Sequence, residues 1–157
     1  VVAYALVFLR RHLDTRLRTV ADVEEETGAS VLGVVPLTPE LRDHASHSLD
    51  QLGLAAEAFR QLRTNLRFVS VDQSPRSIVV TSANAGEGKS TMSATLARVL
   101  GESGQPTVII DADLRRPMLA TVFGKSGSVG LSQLLSGQLR LADALQETLR
   151  AHFGVAA

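Results

Sequence analysis

The 157 residues are 45% hydrophobic and 20% charged, a globular composition with room for one domain and an added segment. Sixteen basic residues balance sixteen acidic ones and aromatics make up only 4%, which removes the electrostatic and stacking case for a nucleic-acid partner. No cysteine is present, so disulfides and thiolate metal sites are excluded.

Residues 1–9 are unbroken apolar sequence around Tyr4, followed by Arg10, Arg11 and His12, with Arg16 and Arg18 beyond. A bilayer crossing takes about 20 apolar residues. Two readings stand: a core helix or strand, or the last turns of a transmembrane helix whose arginines mark the cytoplasmic side. The chain opens on Val1 rather than Met, as expected of a fragment.

A short helix is expected from Thr19 to Thr27, with Thr19 as N-cap and Gly28 as its stop. Its Glu24-Glu25-Glu26 run reads as a solvated face rather than a metal site. Ser30 to Pro36 reads as a short strand ended by the proline. Residues 37–53, with His44 and His47, read as a polar connector.

From Leu54 to about Ser70 the pattern is an amphipathic helix. Leu54, Ala55, Ala58, Phe59, Leu62, Leu66 and Val69 fall on one face, with Glu57, Arg60, Arg63 and Arg67 opposite. From spacing alone the charged stripe is a solvated face; a docking surface for a neighbouring subunit is the alternative.

Ile78-Val79-Val80-Thr81 reads as a buried strand. It breaks into a turn of small residues and re-enters a helix from Lys89 to about Leu100. Strand, glycine turn, Lys-Ser and helix in that order make a phosphate-binding loop. Backbone N–H groups around Ala85, Gly86, Glu87 and Gly88 face the anion, Lys89 brings a positive charge, and the Ser90 hydroxyl suits Mg²⁺. The usual glycine six residues before the lysine is replaced by Ala83, while the core from Gly86 to Thr91 is intact.

After a turn over 101–106, Thr107 to Asp111 reads as a second buried strand, parallel to the first through the helical crossover. It ends in Asp111-Ala112-Asp113-Leu114-Arg115-Arg116-Pro117. Carboxylates at the carboxyl end of such a strand sit where ligands bind in open α/β sheets, so Asp111 and Asp113 are candidates for Mg²⁺ ligation or activation of the attacking group. Gly130–Gly137 and Ala142–Leu149 read as two short helices without chemistry.

These residues together resemble the bacterial tyrosine kinases of capsule and exopolysaccharide export, in the form fused to a chain-length regulator. The phosphate loop is matched by Ser82 and the run Gly86 to Thr91. The second motif, three aliphatics then Asp-x-Asp-x-Arg, is matched from Val108 to Arg115, and the Glu-x-x-Arg-x-x-Arg oligomerisation helix by Glu57, Arg60 and Arg63. The resemblance implies an α/β fold, a partial doubly wound parallel sheet of the MinD/ParA-like P-loop type with an N-terminal membrane-proximal segment. It divides the chain into residues 1–18 (end of a transmembrane helix and basic segment), 19–53 (juxtamembrane helix, strand and linker) and 54–157 (the first part of the kinase domain).

The resemblance further implies ATP and Mg²⁺ as cofactors and transfer of the γ-phosphoryl group to tyrosine. Gly86, Gly88 and Lys89 would hold phosphates, Ser90 the metal and Thr91 the inner phosphates, while Asp111 and Asp113 would divide metal positioning and hydroxyl activation. The implied partners are a second copy of the chain, through Glu57, Arg60 and Arg63, and the polysaccharide export machinery at the cytoplasmic face of the inner membrane. MinD/ParA ATPases share the fold, but their extra lysine, five residues before the main one, is Asn84 here. A non-catalytic nucleotide-binding module is the other alternative. It draws on two gaps: no later acid-ended aliphatic strand and no C-terminal tyrosine cluster. Asp143 and Glu147 fall in a helical pattern, so the chain is expected to stop midway through the domain and to lack efficient kinase activity alone.

Overall fold

The computed structural model describes residues 17–42, 49–69, 75–147 and 153–156; the apolar segment at 1–9, its arginines through Arg16, and His44 and His47 lie outside them. The chain divides into two units, Val1–Leu32 and Gly33–Ala157.

In the first unit, α1 spans Val20–Thr27. Its start is a reciprocal cap. Thr19 Oγ1 accepts from Asp22 N at 3.1 Å, and Asp22 Oδ2 accepts from Thr19 N at 2.9 Å. The bond that Asp22 Oδ2 accepts from Arg18 N at 3.0 Å, and next that from Thr19 N, hold the Asp22 carboxyl below its ordinary pKa. Gly28 ends the helix, its N–H reaching Glu24 O at 2.9 Å. Glu24 is exposed, as expected, and its carboxylate also accepts from Val31 N at 2.8 Å. The strand expected over 30–36 does not form: the segment is irregular. A run interrupted by Gly33 and closed by Pro36 is too short to hold a strand without a partner.

In the second unit the connector is more structured than its polarity suggests. It holds α2 (Pro39–Arg42) and a 3₁₀ turn (Leu49–Leu52), which bury Leu41, Leu49 and Leu52. They pack with α3 (Leu54–Leu66) and α4 (Lys89–Glu102) around the fully buried Phe59 and Val99. The buried face of α3 is Ala55, Ala56 and Phe59, with Leu62 and Leu66 at its margin; Leu54 is 80% exposed and Val69 is exposed as well. Helical geometry accounts for the difference. At about 100° per residue, Ala56 stands about 60° and Arg63 about 40° from Phe59, whereas Leu54 stands about 140° away. Arg63 therefore does not share the outer face with Glu57.

A second cluster joins Ala94 and Ala97 of α4 to Ile109 of β1 (Thr107–Ile110), and to Leu119 and Val122 of α5 (Leu119–Val122). Helices α6 (Leu131–Leu135) and α7 (Leu141–Ala144) follow, then β2 (Gln146–Glu147) and β3 (Phe153–Ala156). Glu147 thus lies in a strand, not in the helix expected over 142–149.

The sheet among the described residues has the order β1-β3-β2, with β1 parallel to β3 and β2 antiparallel to β3. Thr107 stands opposite Phe153 and Ile110 opposite Ala156. The β-branched run at 78–81 is not paired in it, and Val79 is 89% exposed. The buried strand expected at 78–81 is therefore corrected: that run is exposed and is not assigned as a strand, and the strand that pairs with β1 in parallel is β3. A helical crossover dictates parallel sense but not adjacency, since strands consecutive in the chain need not be neighbours.

Candidate functional site

Two turns carry the polar chemistry. The first runs from Ser82 to Ser90. Gly86 and Gly88 have φ of 82° and 87°, and nothing lies within 4 Å of where a Cβ would stand. Glycine is therefore required by the backbone conformation rather than by space. Gly88 is the N-cap of α4, and Met92 N donates to Gly88 O at 2.8 Å. The amides of Lys89 and Ser90, in the first turn, have no carbonyl one turn back to meet and face past the helix end.

Inside this loop the side chains hold one another. Lys89 Nζ donates to Ser82 Oγ at 2.9 Å and to Asn84 O at 3.1 Å, and Ser82 Oγ also bonds Asn84 O at 2.9 Å. Glu87 accepts from Asn84 Nδ2 at 2.9 Å and from Asn84 N at 3.0 Å. Those two bonds hold its carboxyl below the ordinary value of 4.5, with Lys89 a smaller contributor. Ala85 is an exposed turn residue, Ser90 is half-buried, and Thr91 is engaged within the protein. In the sequence, Asn84 stands out only as a departure from a related pattern. Its lysine contact was foreshadowed by spacing alone, five residues before Lys89 across a glycine turn.

The second turn follows β1. Asp111 is buried at 6% exposure, and its carboxylate accepts three backbone bonds: Asp113 N at 3.1 Å on Oδ1, and Met118 N at 2.8 Å and Leu119 N at 2.9 Å on Oδ2. It therefore closes its own turn and caps α5. Asp113 is exposed, and its Oδ1 accepts from Arg115 N at 3.2 Å and Arg116 N at 3.0 Å. Asp111 also lines a cavity of about 200 Å³ with Thr121, Lys125, Ser132 and Gln133, residues that sequence reasoning did not connect to the site.

The two turns lie at one end of the unit. Helix α4 leads away from the phosphate loop, the chain reverses over 103–106, and β1 returns against Ala94 and Ala97. The amino end of the helix and the carboxyl end of the strand are thereby brought to the same edge, the usual place for a ligand. Outward amide donors, a lysine, a free-standing serine hydroxyl and an exposed carboxylate fit a Mg²⁺-bound polyphosphate. The third group stands apart. Glu57 and Arg60 form an exposed pair at 3.1 Å, whereas Arg63 Nη1 donates to Val99 O at 3.3 Å.

Comparison with known proteins agrees with this geometry. Residues 78–155 match the CobQ/CobB/MinD/ParA nucleotide binding domain. The chain is 41% identical over 102 residues to the tyrosine-protein kinase YwqD of Bacillus subtilis, covering 65% of this chain and 43% of that protein. It is 36% identical over 149 residues to the putative tyrosine-protein kinase EpsB of Ralstonia nicotianae, covering 87% of this chain and 20% of that one. The chain thus spans less than half the length of these curated relatives. Among solved structures, the kinase domain of the Escherichia coli tyrosine kinase ETK superposes with a TM-score of 0.77 at 31% identity, over 90% of this chain and 60% of that one. The BceF tyrosine kinase domain gives 0.76 at 31% identity, over 89% and 61%. Phosphate loop, aspartate turn and these likenesses together place the chain in the bacterial tyrosine-protein kinase family, on a CobQ/CobB/MinD/ParA-type P-loop α/β fold.

Proposed function

We propose that this chain carries the ATP-binding part of a protein-tyrosine kinase acting in capsule or exopolysaccharide export. The observation that carries the reading is that α4, which opens at the Lys89 loop, packs through Ala94 and Ala97 on β1, the strand that leads into the Asp111 turn. Bound Mg²⁺ would neutralise charge on the triphosphate. The loop amides and Lys89 would position the β- and γ-phosphates, and the Ser90 hydroxyl would hold the metal. Asp111, spent on three backbone donors, keeps the turn in place, and the exposed Asp113 would supply the carboxylate for the metal or the tyrosine hydroxyl.

In the same reading, a second copy of the chain docks on the outer face of α3 through Glu57 and Arg60, so that one copy's tyrosines reach its neighbour's site. The export machinery and the cytoplasmic face of the inner membrane are the proposed setting. Among the described residues no helix is long and apolar enough to cross a membrane, so the anchor is sought in residues before 17 or elsewhere in a longer protein.

The test is calorimetric titration with ATP and Mg²⁺, paired with phosphoryl transfer to a Glu-Tyr copolymer. Mg²⁺-dependent ATP binding with transfer to tyrosine supports the kinase reading. ATP binding by this chain, with no transfer even from a longer preparation that carries the rest of the domain, favours a nucleotide-binding interaction module. A folded chain that does not bind ATP rejects both.

A further inference from the structure

Arg63 belongs to the charged triplet of α3, yet its guanidinium turns inward and donates to the carbonyl of Val99 on α4 at 3.3 Å, in a partly buried contact. The last carbonyls of a helix lack intrahelical partners. At this end of α4, Ser103 N goes to Leu100 O at 3.1 Å, Gln105 N also to Leu100 O at 3.2 Å, and Gly104 N to Gly101 O at 2.9 Å. The turn thus bypasses Val99 O, and Arg63 supplies its donor. A guanidinium there also opposes the negative end of the helix dipole. Beside it, Phe59, Leu62 and Leu66 of α3 pack on Leu96, Val99 and Leu100 of α4.

We propose that Arg63 is a positioning residue of the nucleotide site, acting within one subunit: it caps the helix whose other end is the phosphate loop. Lys89 and Val99 are ten residues apart on α4, about 15 Å along a rigid helix, so the cap and the packing beside it set where Lys89 and its loop stand. The triplet then has two tasks, Glu57 and Arg60 outward and Arg63 inward. The inference rests on the nucleotide-binding reading of the loop but differs from the subunit-contact role.

The experiment compares Arg63→Met, which removes donor and charge, with Arg63→Lys, which keeps both, at a concentration where light scattering reports the same mass for all. Two readouts are taken: MgATP affinity by calorimetry, and amide hydrogen exchange over residues 84–92. Arg63→Met is expected to weaken MgATP about three- to tenfold and to speed exchange in the loop, the size of a helix-end charge effect. Arg63→Lys is expected to recover most of both. Unchanged affinity and unchanged loop exchange in Arg63→Met, even with a lowered Tm, would overturn the proposal, as would equal losses in both variants. Should Arg63→Met not fold, Arg63→Gln takes its place. If the wild-type chain itself fails to bind MgATP, the nucleotide reading fails, and loop exchange alone decides the role of Arg63.

Discussion

The Glu87 carboxylate holds Asn84 by two of its donors, backbone N at 3.0 Å and side-chain Nδ2 at 2.9 Å, while the Asn84 carbonyl in turn receives Lys89 Nζ at 3.1 Å. One glutamate thus sets the residue that seats the lysine. Because these bonds favour the charged carboxyl, its pKa lies below 4.5 in the folded chain, and the clasp holds above that value and fades as pH falls through the lowered pKa. The Asn84 amide proton shift should therefore titrate with a midpoint below 4.5. It should stop titrating in Glu87→Gln. A midpoint at or above the ordinary value would contradict the clasp.

Lys89→Met removes the charge that faces the phosphates and leaves a side chain of similar length. MgATP affinity should fall at least tenfold, on the order of 1.4 kcal/mol or more, with little change in Tm. Calorimetry on the two proteins checks it; equal affinities would remove Lys89 from the site.

Asp111 and Asp113 should separate by phenotype. Asp111→Ala strips the acceptor from three backbone donors, one of them on buried Leu119, and should destabilise the fold by about 2–3 kcal/mol in a denaturant titration. Asp113→Ala, at an exposed position, should cost under about 1 kcal/mol yet reduce the dependence of ATP binding on Mg²⁺. The opposite ranking of stabilities would reverse the assignment.

Phe59 is fully buried where α3 meets α4. Phe59→Ala should lower stability by about 3–5 kcal/mol through lost burial and a residual cavity. A midpoint within experimental scatter of wild type would show that the α3–α4 seam is not the core of this unit.

Arg60 is paired with Glu57 at the surface, an arrangement worth little to the fold. Arg60→Glu should leave Tm nearly unchanged and reduce self-association, measured by sedimentation, before it affects ATP binding. Normal assembly in this variant would remove the outer face of α3 from the proposed subunit contact.

The sequence alone determined the local pieces. Thr19 and Gly28 bracket a helix because capping is settled by neighbouring side chains, and the Gly86–Thr91 run makes a phosphate loop because its two glycines accept positive φ. The span of α4 and the strand before Asp111 follow from local pattern as well. Tertiary structure decided what local pattern leaves open. The aliphatic run at 78–81 has the composition of a buried strand, but pairing depends on which segment lies alongside, and β1 takes β3 instead. Asp111 and Asp113 look equivalent one residue apart; only the fold brings the amides of Met118 and Leu119 onto one of them. Arg63 follows a charged spacing that reads as surface, yet its azimuth beside Phe59 carries it to a carbonyl on another helix. Backbone propensity and caps are nearest-neighbour properties, legible in a string; pairing, burial and the partner of a long side chain are set by residues distant in sequence.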